Sequence, residues 1–265
     1  MNEGYGDDFA PIYDILYPPL DVDGVEISWL SSWAPEHNPV VVELGVGTGR
    51  VLLPLEERLR KRRPRCLGID ASEAMLSALR TKDPHDRIVR VRRDICQELP
   101  PLTADLVLCV GGTISMLLSR EQQQRALENA AAALRPGGYL LVETHTADRV
   151  HALHPRGTST RCTETADGRV VVTFSEVSGI NWDVTTVLVD RETSHHGRER
   201  SLVTSTRDLD SLAGAAGLRP AGTFAGLTPE PPLGMPPTTT HVYRRRSASD
   251  GSPSPGRVLK RKERP

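Results

Sequence analysis

No uninterrupted apolar stretch in this sequence approaches the ~18 residues of a membrane-spanning helix, so membrane insertion is not expected. Net charge is almost absent, with 33 lysines and arginines against 34 aspartates and glutamates. That balance, with aromatics at only 4%, argues against a nucleic-acid footprint and for a small or neutral partner. Cysteine is scarce: Cys66, Cys96, Cys109 and Cys162 show no CxxC spacing, and three of them fall in or beside predicted strands. There a reduced thiol serves as a small hydrophobe, which disfavours metal or redox roles. The segment Met1 to Asp8 has neither the basic flank nor the apolar run of a targeting sequence, so a cytoplasmic location is expected.

The 38% apolar fraction suffices for a buried core, and 265 residues fit one α/β domain carrying an insertion, with no need for a second core. Apolar runs bounded by turn residues recur at 39–44, 65–70, 87–93, 104–110 and 139–143. Helical patterns at 50–60, 72–80 and 120–134 separate most of them. This β-α-β rhythm predicts a Rossmann-like, doubly wound and mostly parallel sheet. The last helix should stop at Pro136-Gly137-Gly138, in a tight turn into the fifth strand. From about Thr158 the pattern changes to alternation at 169–176, 182–190 and 199–206. These stretches read as an antiparallel insertion joined by turns at Ala166-Asp167-Gly168 and Ser194-His195-His196-Gly197, the two histidines exposed. A helix at 207–216 closed by Gly217, then strands at 219–225 and 239–244, complete the sheet. Residues 247–265 cannot bury apolar surface and end near Lys260-Arg261-Lys262. They read as a disordered basic tail or, alternatively, a weak polyanion contact.

The densest signal is Val41 to Arg50, a buried strand that runs through Gly45, Gly47 and Gly49 into a helix. Glycines let the backbone turn tightly and approach a ligand. A dinucleotide fingerprint would place its third glycine at position 50, where this chain has Arg50, so a nicotinamide oxidoreductase is disfavoured. A sulfonium cofactor has no phosphate to hold, and an acid ahead of the glycines, Glu43, suits its cationic amino-acid end. Asp70, closing the second strand, can accept two ribose hydroxyls. It would do so for either cofactor, and Ser72 after it also suits a helix N-cap.

This segment resembles motif I of the class I S-adenosylmethionine-dependent methyltransferases. The similarity continues in Cys66 to Ser72 with Met75, in Arg93-Asp94-Ile95-Cys96, and in Leu134-Arg135-Pro136-Gly137-Gly138. The resemblance implies S-adenosylmethionine as cofactor, surrounded by Glu43, Gly45, Val46, Gly47, Thr48, Gly49, Arg50, Asp70, Ala71, Met75, Asp94, Ile95 and Val110. Asp94 would then meet the adenine amino group and Ile95 its ring, although each read alone would be a loop residue.

Methyl transfer from a sulfonium is an in-line displacement in which proximity supplies much of the catalysis. The segment facing the methyl group, Cys109 to Met116, has no Asn/Asp-Pro-Pro-Tyr/Phe run and no carboxylate for magnesium, so neither base flipping nor a metal is expected. Gly111 and Gly112 would admit an acceptor, with Thr113 or Ser115 offering a hydroxyl. Alternatively these residues form a turn and an N-cap.

Phe9 to Tyr17 resembles the FAxxYDxxY lid of sugar N,N-dimethyltransferases and glycine methyltransferase relatives. This implies a helix with Tyr13 and Tyr17 on one face over the methyl donor, although an aromatic staple would give the same spacing. The insertion is similar to strands that, in the sugar enzymes, wall the acceptor and join two subunits, so a homodimer is implied. Met116 stands where that group carries an active-site histidine, so the sugar-amine acceptor does not carry over. His145, past the fifth strand, is either a base or a structural histidine.

The resulting division is a helical lid at 1–35, a cofactor-binding core at 36–157, the insertion at 158–206, the rest of the core at 207–246 and the tail. The expected activity is methyl transfer to an amine of a small molecule or short peptide in natural-product biosynthesis. The alternatives are O-methylation, or cofactor binding for a non-methylating role.

Overall fold

A computed structural model describes residues 4–247, so positions 248–265 of the expected tail lie outside the described residues. Strands β1 (Val40–Leu44), β2 (Arg65–Asp70), β3 (Ile88–Arg92), β4 (Ala104–Cys109) and β5 (Leu134–His145) pair in parallel. β10 (Leu218–Ala225) and β11 (Thr238–Arg245) are added antiparallel, giving the order β10-β11-β5-β4-β1-β2-β3. The chain winds outward from β1 to β3 and then returns to place β4 on the other side of β1. That reversal opens a crevice at the carboxyl ends of β1 and β4, where ligands of such sheets bind.

Neighbouring strand residues feed opposite layers, as the pleat requires. Val41, Leu106, Leu108 and Leu141 pack against α3 (Val25–Ser32), α4 (Leu52–Leu59) and α5 (Glu73–Lys82). Val42, Val107, Cys109 and Val142 pack against α6 (Arg120–Ala133) and α8 (Thr206–Ala215). All eight of these side chains are at most 2% exposed, so the continuous apolar strands of the sequence are those buried on both faces. Among the described residues no helix is long and apolar enough to cross a membrane.

Three local expectations are corrected. Pro136-Gly137-Gly138 does not form a free turn before β5. β4 and β5 pair at Ala104↔Leu134 and again at Leu106↔Tyr139, so residues 135–138 bulge out within the strand opposite Asp105. The bulge is pinned by Arg135 on the Asp105 carboxylate, whose other oxygen accepts the Val40 N–H at 2.8 Å.

The lid is not one helix but two, α1 (Tyr5–Phe9) and α2 (Tyr13–Leu16). Pro11, lying between them, has no N–H to continue a ladder.

The insertion is a separate sheet of four strands, β6 (Thr158–Glu164), β7 (Val170–Ser178), β8 (Asn181–Val189) and β9 (Ser194–Leu202), joined to the core by α7 (Ala147–Ala152). The expected turn at 194–197 is the start of β9, and the real turn closes at Asp190 N–H to Thr193 O, 2.9 Å. β6 and β9 are polar edge strands without the apolar alternation that marks a half-buried strand in sequence. His195 and His196 are nevertheless exposed.

Candidate active site

β1 ends in a loop whose glycines take left-handed backbone, Gly45 at φ 72°, Gly47 at 53° and Gly49 at 83°. The Gly45 and Val46 N–H groups donate to Ile69 O at 2.7 and 3.0 Å, which fixes the loop on β2. Gly47 is open to the crevice, with no atom within 4 Å of where a Cβ would stand. Its N–H donates to Asp70 Oδ2 at 2.8 Å, while Asp70 Oδ1 accepts the Ser72 N–H at 2.9 Å. Ser72 also caps α5, accepting the Met75 N–H at 3.2 Å.

The crevice is a cavity of about 460 Å³, within the range of small-ligand sites. Of the residues expected at the cofactor, Tyr13, Glu43, Gly45, Val46, Gly47, Arg50, Asp70, Ala71, Met75, Ile95 and Val110 line it, as does Gly111 from the expected acceptor group. Thr48, Gly49, Asp94, Tyr17, Gly112, Ser115 and His145 are placed around it rather than on its wall. Gly49 packs against Leu79 and Leu53. Asp94 folds back on its own loop, accepting the Cys96 N–H at 2.8 Å. Ser115 is 2% exposed within the 3-10 turn Thr113–Met116, and Thr113 gives its hydroxyl to Val110 O at 2.8 Å. Met116 lines the cavity as the segment facing the methyl group implied, whereas Tyr5 and Arg92 line it without having been expected there. Tyr5 lies ahead of the lid motif, and only the fold of α1, which stacks it on Phe9 at 4.5 Å, brings it in.

Two acids on the cavity wall, Glu43 and Asp70, have their titration shifted by burial. Glu43 is 3% exposed, and burial pushes its pKa up to about 8 against the opposing pull of the Arg50 guanidinium. Its Oε2 is buried with no hydrogen-bond partner. A buried carboxylate short of one partner suits a cationic ammonium, because the uncompensated oxygen gains a charge-assisted bond on binding. Asp70 is also raised by burial, against the backbone bonds from Ser72 and Gly47, and each of its oxygens keeps accepting capacity for a diol. These are the features a site for S-adenosylmethionine needs at its two polar ends.

The lid closes one side. The Tyr13 and Tyr17 rings meet at a tilt of 51° with centroids 5.1 Å apart, and burial pushes the Tyr13 phenol well up. Between them Asp14 accepts the Thr48 hydroxyl at 2.6 Å and Lys82 Nζ at 2.6 Å, so one carboxylate ties the lid to both the glycine loop and α5. Glu143 holds the opposite side, accepting the Gly111 N–H at 2.9 Å and the Thr238 hydroxyl at 2.7 Å. His145 extends from the same strand; its Nε2 lies 3.4 Å from where a Cβ on Gly112 would stand. Its ring packs edge-on to Trp182 of the insertion at 4.7 Å, and burial holds its pKa below the usual value despite the opposing charge of Glu199.

The fold and this site together define a Rossmann-like α/β protein whose crevice suits a ligand of this kind. Residues 41–138 match the family described as "Methyltransferase domain". A stretch of 48 residues, 18% of the chain, is 48% identical to a carboxy-S-adenosyl-L-methionine synthase of Wolinella succinogenes and spans 20% of that protein. A stretch of 134 residues, 51% of the chain, is 27% identical to a cypemycin N-terminal methyltransferase of a Streptomyces species and spans 53% of it. The chain therefore covers from a fifth to about half of these curated relatives. Among solved structures, the CcbJ methyltransferase of Streptomyces caelestis superposes over 92% of this chain and 98% of its own, with 25% identity and a TM-score of 0.78. The sugar N-methyltransferase KedS8 of a Streptoalloteichus species shares the fold over 89% of this chain and 93% of its own, with 21% identity and a TM-score of 0.66. Residues 41–138 thus match a methyltransferase domain, the fold is shared with solved methyltransferases, and the crevice has the polar ends that S-adenosylmethionine would require.

Proposed function

We propose that this protein transfers the methyl group of S-adenosylmethionine to an amine of a small molecule or short peptide during natural-product assembly. The observation that carries the reading is the cavity itself. Its buried Glu43, with one oxygen unpartnered, stands with Asp70 around a glycine loop that leaves the space before Gly47 open. In this reading Glu43 and the glycine loop take the cofactor's amino-acid end. Asp70 takes its ribose, and Met75, Ile95 and Val110 form the apolar surround of the adenine. Tyr13 and Gly111 then border the sulfonium methyl. The protein's contribution to catalysis is orientation and exclusion of water beneath the lid, with the amine lone pair held in line with the breaking C–S bond.

Nitrogen is preferred over oxygen because two of the similar proteins are named for N-methylation. The natural-product setting draws on the same relatives. The cysteines are all free, which fits a reducing, cytoplasmic compartment. A second copy of the chain is the proposed cover for the outer face of the insertion, where Val170, Phe174 and Val189 are 38%, 50% and 39% exposed.

The test is calorimetric titration with S-adenosylmethionine, followed by transfer of a ¹³C-labelled methyl group to matched amine and alcohol acceptors, read by NMR. Binding that is lost in Asp70→Ala, with label on nitrogen, is expected. An O-methyl product, or binding without transfer to any acceptor, rejects the reading.

A further inference from the structure

β9 carries the polar sequence His195-His196-Gly197-Arg198-Glu199-Arg200-Ser201, whose alternate residues face opposite sides of the insertion sheet. Gly197 points at the lid, so closely that a Cβ there would lie 2.5 Å from the Phe9 ring. Ser201, four residues on, is fully buried. Glu199 lies between them on the same face and is half-buried. Its Oε1 accepts the Ser201 hydroxyl at 2.7 Å. None of the ion pairs among the described residues involves it.

Aromatic rings meet this face of the sheet, with Phe9 against Gly197 and Trp182 opposite Ser201. The charge of Glu199 bears on Tyr5, Tyr13 and Tyr17 of the lid and on His145. Trp182, opposite Ser201 in the β8–β9 register, completes the group by packing edge-on to His145. The Trp182 Nε1–H is buried and has no acceptor. The contacts lead back to the methyl-donor cavity, because the Tyr13 hydroxyl lies 3.9 Å from a Cβ position on Gly111 and His145 lies beside Gly112. A carboxylate without a cation, on a sheet face that meets aromatic rings, has the chemistry of an ammonium site. An indole N–H without an acceptor adds a demand for a ligand oxygen close to that nitrogen.

We infer that Glu199 and Trp182, both supplied by the insertion, form the acceptor subsite and select an ammonium that carries a hydroxyl or carbonyl oxygen on a neighbouring carbon. This rests on the amine reading above and specifies its substrate class. Glu199 holds the acceptor as its cation and then takes one N–H proton on its free oxygen. The released lone pair forms the N–C bond as the C–S bond breaks, its electron pair passing to sulfur, so the sulfonium becomes a neutral thioether and the product leaves as a methylammonium ion.

The experiment uses the full-length protein saturated with S-adenosylhomocysteine. It is titrated with choline or with the neutral isostere 3,3-dimethylbutan-1-ol, following tryptophan fluorescence. Trp29 and Trp33 sit in a different cluster with Phe224 and Tyr139, so a response specific to the probe reports Trp182. Choline is expected to bind about tenfold more tightly than the isostere. Glu199→Gln should erase that difference, Glu199→Asp should keep part of it, and S-adenosylhomocysteine affinity should be unchanged in both. Equal affinities, no saturable response up to about 100 mM, or a preference that survives Glu199→Gln would overturn the subsite. An indifferent Glu199→Gln alongside an N-methyl product rejects only the subsite, whereas an O-methyl product rejects the amine reading itself.

Discussion

At the residue scale the most consequential group is Glu43, an acid buried next to another acid. In the ligand-free protein its pKa is raised from 4.5 to about 8, chiefly by burial. The folded state therefore binds this proton more tightly than the unfolded chain, and stability falls as pH rises through that window, levelling off above it. Glu43→Gln removes the ionisation. The variant should gain thermal stability relative to the parent as pH rises from about 4.5 to about 8, while its affinity for S-adenosylmethionine drops by about tenfold or more. Melting temperatures that run parallel for the two proteins across the window would show that Glu43 is not the buried acid described. Below pH 8 a bound ammonium should also expel the proton, visible as binding heats that depend on the buffer's own ionisation enthalpy.

At the element scale, the lid and the insertion depend on each other. α1 and α2 are too short to persist alone. They are held by Phe9 against β9, by Ile12 and Leu188 in a small shared core, and by Asp14 on Thr48 and Lys82. Asp14 and Lys82 are partly exposed, at 36% and 27%, so the pair adds little to global stability. Asp14→Asn should leave the melting temperature of the free protein nearly unchanged yet speed S-adenosylmethionine release several-fold in stopped-flow displacement. An unaltered off-rate would mean that the lid does not gate the cofactor. The elements that sequence reading misplaced belong to this same region. The start of β9 looks like a turn because Ser194 and Gly197 are turn formers and the two histidines between them are polar. Its strand geometry comes from pairing with β8 and from the Phe9 ring, which leaves room only for glycine at 197. The lid break at Pro11 could have been read from the sequence, since proline ends a helical ladder wherever it falls inside one.

At the scale of the whole molecule, the insertion sheet has one face on the lid and the other in solvent. The solvent face groups Val170, Val172, Phe174, Val187 and Val189 across β7 and β8. Exposed apolar patches of this kind mark association surfaces. Phe174→Asp should shift the protein to monomer in analytical ultracentrifugation while leaving S-adenosylmethionine binding intact. A wild type that sediments as a monomer at all concentrations would remove the second copy from the proposal.

The sequence by itself determined the parallel sheet and its winding, because strands buried on both faces are written as continuous apolar runs and the glycine loop must follow the first of them. It also determined the pair Glu43 and Asp70, each fixed to a strand end by a few neighbouring residues. Only the tertiary structure decided which residues share the cavity wall. Thr48 and Asp94 sit within the expected motifs, yet they spend their polar atoms on Asp14 and on the local backbone. Tyr5 lies outside every motif and reaches the cavity wall only through the fold of α1, which stacks it on Phe9. Local spacing records what a strand or turn needs from its own neighbours. The proposed acceptor side lies where the lid, the end of β5 and the insertion meet, and that meeting depends on long-range packing that no short stretch of sequence encodes.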